Sequence, residues 1–174
     1  MTILYKITDD DDRTALGCQW GAGLEHTAPG LGPLGGSGWL YAFTHPYLAA
    51  FFAPWLPYEG YRLWRADGVV GLTGSGFEVG CTHLATIARL ALPAVDVEAS
   101  IRFARAVARL APPSREAEDT LADAELYVAS DMPIWARQAA AMAVGYAVEG
   151  TTKLPLAALA EAATAGKRTE GGVV

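Results

Sequence analysis

Only two cysteines, Cys18 and Cys81, occur in the 174 residues, and they belong to no recognisable metal or redox spacing. They could meet in space, but a reduced pair in a cytosolic protein is the expectation. Histidine is almost as scarce, with His26, His45 and His83 alone. Together with the cysteines they could supply metal ligands, yet no H-x-x-x-H or C-x-x-C sets two of them on one local frame, so no metal site is expected. Basic residues are few: 13 Lys and Arg stand against 19 Asp and Glu, for a net charge of −6. That balance argues against broad phosphate-backbone contact, so no direct nucleic-acid partner is expected. No run of about 20 residues is free of His, Pro or charge, which excludes a membrane-spanning helix from the expectations. The opening Met1-Thr2-Ile3-Leu4-Tyr5 runs straight into polar residues rather than an apolar leader, so the expected location is the cytoplasm.

Catalytic signatures are equally thin. Gly74-Ser75-Gly76 lacks the full G-x-S-x-G elbow that would expose a nucleophilic serine. Gly30 to Gly38 has glycines for a phosphate cradle but no following Lys-Ser/Thr. No cofactor is implied.

Hydrophobic residues make up 52% of the chain, enough to exclude disorder, and its length fits one domain or one domain with a helical extension. Thr2 to Thr8 alternates as a strand, with Ile3, Tyr5 and Ile7 on one face and Leu4 and Lys6 on the other. Asp9 to Asp12 is an acidic turn. A short strand is expected near Cys18-Gln19-Trp20, and a long Gly/Pro loop over Gly21 to Gly38. Leu40 to Phe43 reads as a strand and Pro46 to Phe52 as a short helix closed by Pro54. Further strands are expected over Tyr61 to Ala66, at Phe77-Glu78-Val79 and, less cleanly, over His83 to Leu92, where strand and helix spacings compete.

The second half is Ala-rich and helical. Asp96 to Ala111 gathers Glu98, Arg102, Arg105 and Arg109 into one polar stripe. Pro112-Pro113 breaks it, and Ser114 caps a next helix that should bury Ala117, Leu121, Ala124 and Val128. A third helix, Pro133 to Glu149, is apolar nearly all round and is stopped by Gly150; a fourth spans about Pro155 to Ala165. The expected class is α+β: a small antiparallel sheet in 1–93, three to four helices in 94–166 packed on it or on a partner, and a flexible tail over 167–174.

The first 93 residues resemble a family of uncharacterised small proteins of bacteriophages and prophages. The likeness lies in the order of Leu4-Tyr5-Lys6, Cys18-Gln19-Trp20 with Gly21 and Gly23, Gly38-Trp39-Leu40-Tyr41-Ala42-Phe43, Pro46, Phe51-Phe52, Tyr61 to Gly68, Val79-Gly80-Cys81 and Leu84 to Ile87. The resemblance implies phage origin and action in the host cytoplasm, and carries no assigned chemistry. A second similarity is to ADP-ribosyltransferase-like folds, which hold a nicotinamide dinucleotide between an opening-strand His or Arg, an aromatic strand and a late catalytic Glu. Lys6, Tyr41 and Glu78 stand in comparable order, with Lys6 replacing the His or Arg.

Three functions follow as expectations. The first is a non-enzymatic phage-type accessory protein that binds a host protein or self-associates. Its surface would be Glu116, Asp119 and Asp123, or a homodimer contact through Trp135, Met142 and Tyr146. The second is an ADP-ribosyltransferase-like enzyme with Glu78, Tyr41 and Lys6 as catalytic candidates. Against it stands a plain reading of Tyr41 and Phe43 as core, Lys6 as exposed and Glu78 as a loop carboxylate. The third is a small-ligand module built on Trp39, Tyr47, Phe51, Phe52, Trp55, Tyr58, Tyr61 and Trp64, against which stands a plain core role for most of those rings.

Overall fold

The computed structural model describes residues 2–14, 17–56, 60–74, 76–112, 114–149 and 154–166. The chain divides into two compact units, Met1–Pro93 and Ala94–Val174. The first carries five antiparallel strands and a short helix, and the second carries four helices among its described residues, so the protein is α+β.

In the first unit, β1 (Thr2–Thr8), β2 (Glu25–Thr27), β3 (Leu40–Phe43), β4 (Arg62–Thr73) and β5 (Glu78–Leu90) are joined in the order β2-β5-β3-β1-β4, and β4 also pairs with β5. The pairing β5–β4–β1–β3–β5 therefore closes on itself. Shifts of register between Arg65 and Ala66, Val69 and Val70, and Val70 and Leu72 bend the two long strands, as bulges do where a sheet must curl. Alternation along β1 sends Leu4, Lys6 and Thr8 inward. The enclosed core contains Leu4, Trp20, Ala66, Val79, Cys81 and Leu84, with Cys18, Leu40 and Val70 at its margin.

Three strand expectations need correction. Gln19 forms only an isolated bridge with Arg13; the second strand is Glu25–Thr27, inside the stretch expected to be loop. It exists because Glu25, His26 and Thr27 find register opposite Ala85, Leu84 and His83, a partner that local sequence does not reveal. The two short strands expected around Val79 and after His83 are one continuous strand, β5.

Helix α1 (Pro46–Phe52) runs into a 3-10 turn at Ala53–Trp55. Its Phe52 stacks on Phe77 at 4.1 Å and on Phe43 at 6.3 Å between ring centroids. The acidic turn is pinned rather than free: Asp12 accepts from Arg62 Nη1 at 2.9 Å, Arg89 Nη2 at 2.7 Å and Trp64 Nε1 at 3.0 Å.

The second unit contains α2 (Val97–Leu110), α3 (Arg115–Ala129), α4 (Pro133–Val148) and α5 (Leu156–Ala165). Asp96 caps α2 by accepting from Ala99 N at 2.7 Å, and Ser114 caps α3 by accepting from Ala117 N at 3.2 Å. Helix α4 packs on both α2 and α3, and α5 packs on α2. Small side chains make that approach close: Ala136, Ala140, Ala143 and Ala147 of α4 are buried. Helix α3 buries Ala117 and Ala124, but Leu121 is only partly covered and Val128 is 47% exposed, because α3 lies at the margin of the bundle. Gly150 and the tail 167–174 lie outside the described residues. No described helix is long and apolar enough to cross a membrane.

Candidate functional site

A cavity of about 430 Å³ opens within the first unit. Strands β1, β3 and β5 contribute Lys6, Tyr41, Phe43 and Glu78 to its wall, and Cys18, Trp20, Trp39 and the segment Gly35–Ser37 complete it. Lys6, Tyr41 and Glu78, the three candidates from the second resemblance, thus line one cavity despite their separation in sequence.

The Gly/Pro segment is tied to the wall of this cavity by two hydrogen bonds. Tyr41 donates its hydroxyl to the Gly36 oxygen at 2.6 Å, and Trp39 Nε1 donates to the Gly32 oxygen at 3.0 Å. Trp39 is seated by two glycines: a Cβ on Gly71 would come 2.6 Å from its Cζ3, and one on Gly80 would come 3.0 Å from its Cγ. Only residues without side chains leave room for the indole there.

Lys6 is 7% exposed, which corrects the expectation of a solvent-facing lysine. The closed sheet explains it, since the inward face of β1 is the interior of the circuit. Its Nζ donates to the main-chain oxygen of Tyr41 at 2.6 Å and lies 5.1 Å from the Trp20 ring centroid. Among the described residues no carboxylate pairs with it. Burial lowers its pKa to about 8, with Cys18 and Cys81 pulling the other way. Burial pushes the Cys81 thiol up to about 11, partly offset by Lys6. Glu78 is raised by burial, and Tyr41 is raised by burial and by the charge of Glu78. The cavity therefore holds a weakly basic amine and a weakly acidic carboxyl, the kind of perturbed groups that gather at ligand sites.

The aromatic residues do not form one groove. Of the set proposed for binding, Trp39 lines the cavity with Tyr41 and Phe43, whereas Phe51 and Phe52 are core residues and Trp64 is buried against Asp12 and Arg89. Tyr47 stacks on His45 at 5.9 Å, Trp55 is half exposed beside Phe52, and Tyr61 donates to the Leu56 oxygen. The contiguity of these rings in sequence spreads them over helix, turn and strand, which face different ways. Tyr58 and Ser75 lie outside the described residues. Sequence reasoning missed Trp20 and Cys18 as lining residues. Trp20 is brought in by its N–H donating to the Asp12 oxygen at 2.7 Å, and its Nε1 has no partner among the described residues.

Both cysteines are free thiols. His26 Nε2 lies 2.7 Å from the Gln19 oxygen, His83 Nε2 lies 3.2 Å from Glu25, and no group of three metal-ligating side chains occurs among the described residues.

In the second unit Glu116, Asp119 and Asp123 are exposed on α3, with Arg115 3.5 Å from Asp119. A shallower cavity of about 310 Å³ lies between α2 and α3, and its charged groups are already paired: Arg105 with Glu125 at 2.7 Å and Arg102 with Glu98 at 3.5 Å. On α4, Trp135 and Tyr146 are exposed and Met142 is partly covered.

No family model, no curated protein and no solved structure matches the chain.

Proposed function

We propose that the first unit is a small-ligand-binding module and that its site is the cavity of Lys6, Tyr41 and Glu78. The observation that carries this reading is the company Lys6 keeps: a buried cation without a carboxylate partner, beside aromatic walls, in a space large enough for a small organic molecule. Such an arrangement costs folding energy, and a ligand that meets the amine and the acid offsets that cost. Purified protein should retain or take up a small molecule, read by native mass spectrometry and by thermal shift over a metabolite panel that includes a nicotinamide dinucleotide. Binding should weaken at least about tenfold in Trp39→Ala, the loss of one well-packed aromatic contact. No uptake and no thermal shift across the panel would overturn the reading. Hydrolysis or transfer of the dinucleotide, abolished in Glu78→Gln, would turn the module into the ADP-ribosyltransferase-like enzyme.

A second reading is favoured by a different observation. Trp135 is 59% exposed and Tyr146 is 39% exposed on one face of α4, aligned with Met142. This supports self-association through the helical unit, the behaviour expected of the accessory-protein reading. Light scattering should then give a dimer mass for the native chain and a monomer mass for Trp135→Asp; a monomer in both cases removes this reading.

A further inference from the structure

We infer that Lys6 is a carbonyl-capturing amine and that the cavity takes an aldehyde or ketone, held as an imine on Nζ. This rests on the ligand-binding reading and adds a bond to it. Three features of the site carry it. Lys6 lies on the inward face of β1 and lines a cavity large enough for a small molecule while the residue is only 7% exposed, so a buried lysine borders a space that a ligand can enter. Nothing anionic among the described residues holds it as an ammonium ion; its hydrogen bond goes to the neutral Tyr41 oxygen. Leu40, Phe43, Trp20 and Trp39 surround the space with apolar surface, which suits the carbon skeleton of a carbonyl compound better than a bare anion. Burial supports the same role by lowering the pKa to about 8, so about a tenth of the amine is neutral at pH 7, far more than of an ordinary lysine.

The chemistry needs no co-reactant. The nitrogen lone pair adds to the carbonyl carbon, the carbonyl π pair moves onto oxygen, and that oxygen takes a proton from nitrogen to give a carbinolamine. The hydroxyl then leaves as water with the second proton of the amine, and a carbon–nitrogen double bond remains. One amine and one carbonyl become one imine and one water.

The test uses the folded, full-length protein with benzaldehyde as probe and cyanoborohydride as the trapping reductant, which delivers hydride to the imine carbon. The chain has only three lysines, Lys6, Lys153 and Lys167, so peptide mapping assigns each benzyl group, with the Met1 amine resolved separately. At pH 7.5 the neutral fraction of an amine of pKa about 8 exceeds that of an ordinary lysine by roughly two hundredfold. Its lower intrinsic nucleophilicity takes back part of that, so Lys6 should be labelled about tenfold faster than Lys153 and Lys167. The preference should vanish in denaturing urea. Equal labelling of the three lysines, or labelling of Lys6 only in step with unfolding, overturns the inference. A ligand bound without any label on Lys6 overturns it while leaving the binding reading intact; neither ligand nor label overturns both.

Discussion

Lys6 Nζ donates to the main-chain oxygen of Tyr41 at 2.6 Å, linking β1 to β3 from inside the closed sheet. The bond holds an amine whose charged form is disfavoured by burial, and the stability of the protein must depend on pH accordingly. Between pH 8 and 10.5 the unfolded chain binds more protons at this residue than the folded one. Stability therefore rises with pH through that window, by at most about 3 kcal/mol. Cys81 acts oppositely: its thiol ionises near 9 when unfolded and near 11 when folded, so it removes stability as pH rises from 9 to 11. The net gain should appear between pH 8 and 9 and then flatten. Urea titrations at closely spaced pH will show this, and Lys6→Met should abolish the rise; a wild-type curve flat from pH 7 to 9 would contradict it.

Asp12 should be the most sensitive position of the acidic turn. It accepts from Arg62, Arg89 and Trp64 while sitting at φ 59. Asparagine tolerates that backbone, so Asp12→Asn isolates the loss of charge. Unfolding free energy should fall by about 2 kcal/mol, since the two arginines are partly solvated while Trp64 is a buried residue. The neighbours Asp10→Asn and Asp11→Asn should stay within about 0.5 kcal/mol.

Gly71→Ala should disturb the cavity through Trp39, although Gly71 is not itself a lining residue. The new Cβ would press on the Trp39 indole, which cannot retreat without leaving its hydrogen bond to Gly32. The expected cost is about 1–3 kcal/mol of stability. It should come with a shift in tryptophan fluorescence and weaker uptake of any ligand found for the site. A variant with native fluorescence and native uptake would show that the indole is not seated as described.

Arg102 closes the end of α5. Its Nε and Nη2 donate to the Ala163 oxygen at 3.0 and 2.9 Å, satisfying a carbonyl in the last turn of the helix. Arg102→Met keeps the packing stem and removes the donors. Amide exchange should then accelerate over Leu156–Ala165 with little change in α3, corresponding to a local loss of about 1–2 kcal/mol.

The helical unit was readable because its boundaries are set by short-range chemistry. Asp96 and Ser114 are capping residues, and their side chains accept from the third residue on, where spacing alone puts them. The strands were readable only where alternation was clean. In β5 the last four residues are all exposed, so Ile87 to Leu90 shows no two-residue rhythm and competes with a helical pattern. The three polar residues of β2 take their conformation from a distant partner. The site itself was half legible. Order along the chain suggested Lys6, Tyr41 and Glu78, but a lysine on an alternating strand normally marks the wet face. Only closure of the sheet turns that face inward, and closure is a property of pairings that no local window contains. The same limit hid Trp20, which enters the core through a turn stabilised by main-chain bonds.

The closed circuit of strands also sets an order of events in time. Strands β4 and β5 are neighbours along the chain and can find one another early, whereas β1 must pair with Arg62–Gly68, far downstream. During synthesis the first strand leaves the ribosome long before its partner exists. Until β4 arrives, Lys6 is an ordinary lysine in water, strongly basic and fully charged. Its lowered basicity depends on burial inside the closed circuit, so the state of that one amine tells a folded chain from an unfolded one.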